Sequence, residues 1–123
     1  MIVLDYQDRR PIYEQIIERF KALIYSGALL PDSRLPSVRQ LAMELSINPN
    51  TIQRAYMELE QQGLIYPVKG KGNFVSPNMD LKKKQREEFF SDFIKLLNRG
   101  RILGVTEAEC VEKVQLCYKE GRA

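Results

Sequence analysis

Apolar residues recur at helical spacing early in the chain. Ile12, Ile16, Ile17, Phe20, Leu23 and Ile24 fall on one face and leave Glu14, Glu18, Arg19 and Lys21 for solvent. Pro11 suits the first turn of such a helix, and Ser26-Gly27 predicts its end, with Gly27 as a left-handed cap. Before it, Ile2-Val3-Leu4 can form one brief strand or pack under a neighbour, and after it Pro31 and Asp32 mark a loop. Ser37, with Gln40 three residues on, makes a capping-box pattern for a short helix that buries Val38, Leu41, Ala42 and Leu45. Asn48 then caps a second helix with Pro49 at its first position, Ile52, Ala55, Tyr56 and Leu59 facing inward, and Gly63 as its stop.

The period changes next. Leu64-Ile65-Tyr66-Pro67-Val68 and Asn73-Phe74-Val75 are two β-prone runs around Lys69-Gly70-Lys71-Gly72, a hairpin signal in which Pro67 points to an edge strand. Three helices and a hairpin in this order make a winged helix-turn-helix over residues 1–76. Ser76-Pro77-Asn78 marks the boundary. Beyond it a helix is expected over 81–98, carrying Phe89, Phe90, Phe93, Ile94, Leu96 and Leu97, with Gly100 and Gly104 bracketing a short connection. Thr106 and Glu109 open a last helix that presents Ala108, Cys110, Val111, Val114, Cys117 and Tyr118, and Gly121 stands near the end. The expected fold is mainly α with a small β-hairpin: the winged unit, then a short two-helix dimerisation region over 77–123.

Composition changes this picture chiefly by what it excludes. The 123 residues include no histidine, which removes the usual general base and the commonest metal ligand. There is no phosphate-loop motif, since Gly70-Lys71-Gly72 lacks both the spacing and the following helix. An enzyme is not expected, nor a metal or cofactor. A surplus of 19 Lys and Arg over 16 Asp and Glu is mild, so charge permits a nucleic-acid partner without arguing for one. Cys110 and Cys117 stand about two helical turns apart, too far for a mutual disulfide, and read as buried reduced thiols. No apolar run could span a bilayer and no basic-then-apolar leader opens at Met1, so a cytoplasmic protein without a membrane partner is expected.

The candidate chemistry sits on the second helix of the turn, expected over about residues 49–62. Its outward positions are Asn50, Thr51, Gln53, Arg54 and Met57. Asn and Gln can pair bidentately with adenine and Arg with guanine, while a Thr or Met methyl can touch thymine. Asn48 at the mouth of the turn is grouped with them. Ser37 and Arg39, at the start of the preceding helix, would reach phosphates or the groove edge. In the wing, over about 64–75, Lys69 and Lys71 would attract phosphates, and Gly70 and Gly72 let the backbone approach the duplex or enter its minor groove. Singly, each signal is weak: an exposed polar helix face is usually only solvated, and a lysine-glycine turn is usually only a turn. The ordered combination is what argues for double-stranded DNA.

At these residues the chain resembles the GntR family of bacterial transcription regulators. The resemblance runs from Pro11-Ile12-Tyr13 through Leu35-Pro36-Ser37-Val38-Arg39-Gln40-Leu41-Ala42 to Gly63-Leu64-Ile65 and Gly70-Lys71-Gly72-Asn73-Phe74-Val75, covering about residues 8–76. Asn48-Pro49-Asn50-Thr51 with Arg54-Ala55-Tyr56 and Leu59-Glu60 is similar to the YtrA-type branch. The fatty-acid-responsive branch has arginines where this chain has Pro49 and Gln53, so those base contacts do not carry over; the Arg39 position does. The MocR-type branch shares Asn-Pro-Asn-Thr but adds a large aminotransferase-like domain. A chain ending at Ala123 is too short for one, so no pyridoxal-phosphate role is expected.

The tail is too short to bury its own core, and its apolar stripes need a partner. They could pack back on the winged unit, or build a symmetric dimer as the resemblance implies. Dimerisation is the favoured reading, through Phe89, Phe90, Phe93, Ile94, Leu97, Val111, Val114 and Tyr118. A twofold dimer would set two recognition helices on an inverted-repeat operator, and repression is the expectation at family level. Lys82-Lys83-Lys84 and Arg86 read as a solvated helix start. A small-molecule effector in the dimer interface stays open, with no identity to give it. The alternative from another class is a winged-helix protein-interaction module that never reads DNA. It predicts that Arg39→Ala and Arg54→Ala leave function intact, while changes at Phe89 or Phe93 abolish it.

Overall fold

Among the described residues, five helices and one hairpin follow in the expected order: α1 (Ile12–Tyr25), α2 (Val38–Leu45), α3 (Pro49–Gln61), β1 (Ile65–Val68), β2 (Gly72–Val75), α4 (Met79–Ile102) and α5 (Glu107–Glu120). They are seen in a computed structural model that describes residues 2–77 and 79–120. The expectations placed on Asn78 and Gly121 lie outside the described residues. The chain divides after Lys82 into two compact units, each of which is described by itself.

In the N-terminal unit, the inward stripes of α1, α2 and α3 meet the inner face of the hairpin. Ile16, Phe20, Leu41, Ile52, Tyr56, Leu59, Ile65 and Val75 are among its buried side chains. Phe20 and Tyr56 meet edge to face, ring centroids 5.6 Å apart, and each large side chain so buried stabilises the fold by about 1.5–3 kcal/mol. Ile2-Val3-Leu4 forms no strand; Ile2 packs into the core instead. The buried Gln15 holds this lead-in down. Its amide accepts from the Asp5 N–H at 2.9 Å and donates to the carbonyls of Asp5 and Arg10, at 3.0 and 3.3 Å.

Both halves of the Ser37–Gln40 capping box form, at 3.0 and 3.1 Å, and start α2. Its end makes the turn of the helix-turn-helix. The Ile47 N–H reaches the Ala42 carbonyl at 3.0 Å and the Ser46 N–H the Met43 carbonyl at 3.4 Å, the paired bonds of a Schellman ending. Ser46 takes the left-handed conformation there, at φ 54. Asn48 then caps α3, accepting from the Asn50 N–H at 2.8 Å, with Pro49 at the first helical position.

The hairpin pairs Ile65 with Val75 and Val68 with Gly72. The stretch expected to be only loop after Pro31 contributes to the sheet. The Asp32 N–H donates to the Val75 carbonyl at 2.8 Å, the Val75 N–H to Ser33 at 2.9 Å, and the Leu35 N–H to Asn73 at 2.9 Å. Arg34 thereby bridges Phe74 on the side of β2 away from β1.

The helix α4 is longer than the expected 81–98, and Gly100 lies inside it rather than opening the connection. The stop is Gly104, at φ 81. The Val105 N–H bonds the Gly100 carbonyl at 2.9 Å and the Gly104 N–H that of Arg101 at 3.1 Å, closing the helix beyond Gly100. The Val105 side chain packs over Gly100, 3.6 Å from where a Cβ would stand. Thr106 accepts the Glu109 N–H at 3.2 Å and starts α5. From 83 to 120 no residue is buried. The cysteines, expected to be buried, differ accordingly: Cys110 is half-buried and Cys117 exposed, both as free thiols on an uncovered apolar face.

Candidate nucleic-acid interface

Because Ile52, Ala55, Tyr56 and Leu59 are the buried side of α3, its outer side follows from helix geometry. At 100° per residue Asn50, Arg54, Met57 and Gln61 fall within roughly 30° of the point opposite the buried stripe. All four are exposed. Gln53 and Thr51 lie on opposite flanks, the first exposed and the second half-buried. Gln61 was not singled out from sequence. Its position shows only once the centre of the buried stripe is known.

Ser37 and Asn48 spend their side-chain acceptors on capping the two helices. Their hydroxyl and amide hydrogens are what remain for an outside partner. Arg39, Lys69 and Lys71 are exposed. Among the described residues the ion pairs are those of Arg10 with Asp8 and Glu18, so none of these three cations is paired with a carboxylate there. An uncompensated cation on an exposed element suits a phosphate.

At the wing tip the Lys71 N–H closes the turn on the Val68 carbonyl at 2.9 Å. Gly70 is exposed and Gly72 half-buried, at φ 78 and 113. The Arg34 guanidinium lies against Gly72, its Nε 3.4 Å from where a Cβ would stand. Arg34 is a further exposed cation beside the wing that sequence reasoning missed, since only long-range pairing of 32–35 with β2 brings it there. Arg54 also has a neighbour the sequence did not reveal: its guanidinium carbon sits 3.7 Å over the ring of Tyr13, on α1.

The residues expected to dimerise belong to the second unit. Phe89, Phe90, Ile94, Val111, Val114 and Tyr118 are exposed, and Phe93 and Leu97 half-buried. Phe89 touches both Phe90 and Phe93 by ring contact. An open groove of about 800 Å³ between α4 and α5 is lined by Phe89, Phe90, Phe93, Leu97, Val114 and Tyr118, among others. Val111 lines a neighbouring hollow that shares Phe93 and Leu97 with it, and Ile94 lines neither. Among the described residues no group of three could hold a metal ion, and no helix is long and apolar enough to cross a membrane.

Residues 12–75 match the sequence profile of the bacterial regulatory proteins of the gntR family. The chain is 46% identical over 78 residues to the HTH-type transcriptional repressor YtrA of Bacillus subtilis, a match spanning 63% of this chain and 60% of YtrA. It therefore aligns with less than two thirds of that relative's length. A solved GntR family transcriptional regulator from Listeria monocytogenes superposes with a TM-score of 0.72 at 31% identity, over 91% of this chain and 97% of its own. The DNA-binding domain of AraR, solved in complex with operator ORR3, gives 0.53 at 34% identity over 60% of this chain and 89% of its own.

Proposed function

Because the chain belongs to the GntR family of bacterial regulatory proteins, and is thus a DNA-binding regulator and not an enzyme, we propose that it is a homodimeric repressor of an inverted-repeat operator. The observation that carries the reading is the outer side of α3, where amide and guanidinium groups suited to base edges stand exposed, together with exposed cations on α2 and the wing. The helix α3 enters the major groove, where Asn50, Gln53 and Arg54 meet base edges. Arg39, Lys69 and Lys71 hold phosphates, with Ser37, Asn48 and Thr51 on the groove margin and Gly70 and Gly72 giving the wing its close approach. The likeness to a named repressor supports repression. Operator binding requires access to the chromosome, which supports a cytoplasmic location.

The dimer rests on the second unit. Its phenylalanines and the apolar side chains of α5 stay uncovered in one chain, and the groove between α4 and α5 is lined mainly by apolar side chains, which supports pairing with a second copy. A twofold axis then repeats the reading surface on two half-sites spaced by about one helical turn, or a multiple of it.

Selection of bound duplexes from a random pool, followed by footprinting, tests the proposal. An enriched site with twofold symmetry is expected. Binding that only weakens with salt and shows no sequence preference would end it.

A further inference from the structure

The contact between Tyr13 and Arg54 links two elements that serve different ends. Tyr13 belongs to the first turn of α1 and is half-buried, whereas Arg54 projects from the outer side of α3 and is exposed. The guanidinium carbon stands 3.7 Å over the ring, within the range at which the negative ring face attracts a cation. A guanidinium laid face-on over a ring keeps its in-plane N–H groups clear, and here no ion pair among the described residues takes them. A free arginine side chain would lose rotamer freedom on binding. One already laid on a ring loses less, and a fixed planar fork matches the two acceptors of a guanine edge.

We infer that Tyr13 is a positioning residue for DNA reading: its ring holds the Arg54 guanidinium in place, edge outward, so that Arg54 selects guanine within the half-site. The inference rests on the function proposed above. Tyr13 itself touches no base, and its effect runs through Arg54 alone. The ring's electron density is what matters, not the phenol hydroxyl, whose nearest partner is a Glu14 carboxylate oxygen at 3.5 Å.

Fluorescence anisotropy on the duplex selected by the wild-type protein, with a shuffled duplex as control, provides the test. Arg54→Ala is expected to weaken specific binding by about 10- to 100-fold and to relax the preference for guanine at one position of each half-site. Tyr13→Leu should weaken it by about two- to five-fold, and by nothing further in the Arg54→Ala background. Tyr13→Phe keeps the ring and should stay near wild type. Pentafluorophenylalanine at position 13 keeps the shape, reverses the ring's charge distribution and should lose as much as leucine. This variant decides the matter if the leucine protein folds poorly.

Equal losses from Tyr13→Leu with and without Arg54 would overturn the inference, because Tyr13 would then only support the fold. Wild-type affinity in the fluorinated protein would overturn it too. A wild-type protein that selects no sequence would bring down the proposed function and this inference together. Selective binding with no coupling would bring down this inference alone.

Discussion

Tyr56 ties the reading unit together at the scale of one residue. Its ring lies in the core against Phe20, and its hydroxyl donates to the Pro36 carbonyl at 2.7 Å, just ahead of the α2 cap. Burial, with the Glu44 charge adding to it, holds the phenol well above its ordinary 10.0. A folded-state value raised above the unfolded one means that stability is full below about pH 10 and lost as the pH rises further. Tyr56→Phe should therefore cost about 1–2 kcal/mol at neutral pH, mainly by leaving a carbonyl unpaired. Its melting temperature should fall less than the wild type's between about pH 9 and 11. Tyr25 and Tyr66 are also raised, but they are common to both proteins, so the difference isolates Tyr56. Parallel melting curves across that window would refute the account. The inward place of Tyr56 was legible from helical spacing, but the partner of its hydroxyl, 20 residues away, was not.

At the scale of elements, the wing depends on backbone that few side chains tolerate. Gly70, at φ 78, has nothing within 4 Å of where a Cβ would stand. Gly72, at φ 113, has the Arg34 Nε at 3.4 Å. Gly72→Ala should cost about 1–3 kcal/mol, through its backbone conformation rather than a clash with Arg34, whereas Gly70→Ala, nearer the left-handed well and in open space, should cost about 1–2 kcal/mol at most. Calorimetric unfolding of the two variants checks that order, and a Gly70 variant the less stable of the two would reverse the argument. Local rules made α1, α2, α3 and the hairpin legible, since caps, apolar spacing and turn residues all lie within a few positions of the helix or strand they govern. The pairing of 32–35 with β2 was not legible: its partners stand some 40 residues apart, and Pro31 with Asp32 reads locally as loop. The end of α4 was misplaced because Gly100 and Gly104 are equal as letters. Only the Val105 and Gly104 amides, turning back to Gly100 and Arg101, make the second one the stop.

For the whole molecule, the decisive feature is an apolar surface that one chain leaves uncovered. Phe93 and Leu97 lie at its centre, lining both hollows between α4 and α5. Placing a charge there, as in Phe93→Glu or Leu97→Glu, should convert a species of twice the 14.3 kDa chain mass into a single chain, because a lone carboxylate buried in an apolar interface is strongly unfavourable. Sedimentation equilibrium reads the mass directly. Operator affinity should fall with it, since each half-site would then be held separately. Wild-type protein that stays a single chain at micromolar concentration would remove the homodimer from the proposal.

Read alone, the sequence determined which segments are helical, where they start, that a basic hairpin follows the third helix, and which family residues 8–76 resemble. Those features are written in neighbouring residues, as caps, periods of apolar positions and turn glycines. Tertiary structure decided what depends on distant parts meeting: the third edge of the wing sheet with Arg34 against Gly72, the hydroxyl of Tyr56 on Pro36, and the ring of Tyr13 beneath Arg54. The reason is that a side chain's periodicity shows which way it faces, while its partner is set by how separate elements pack.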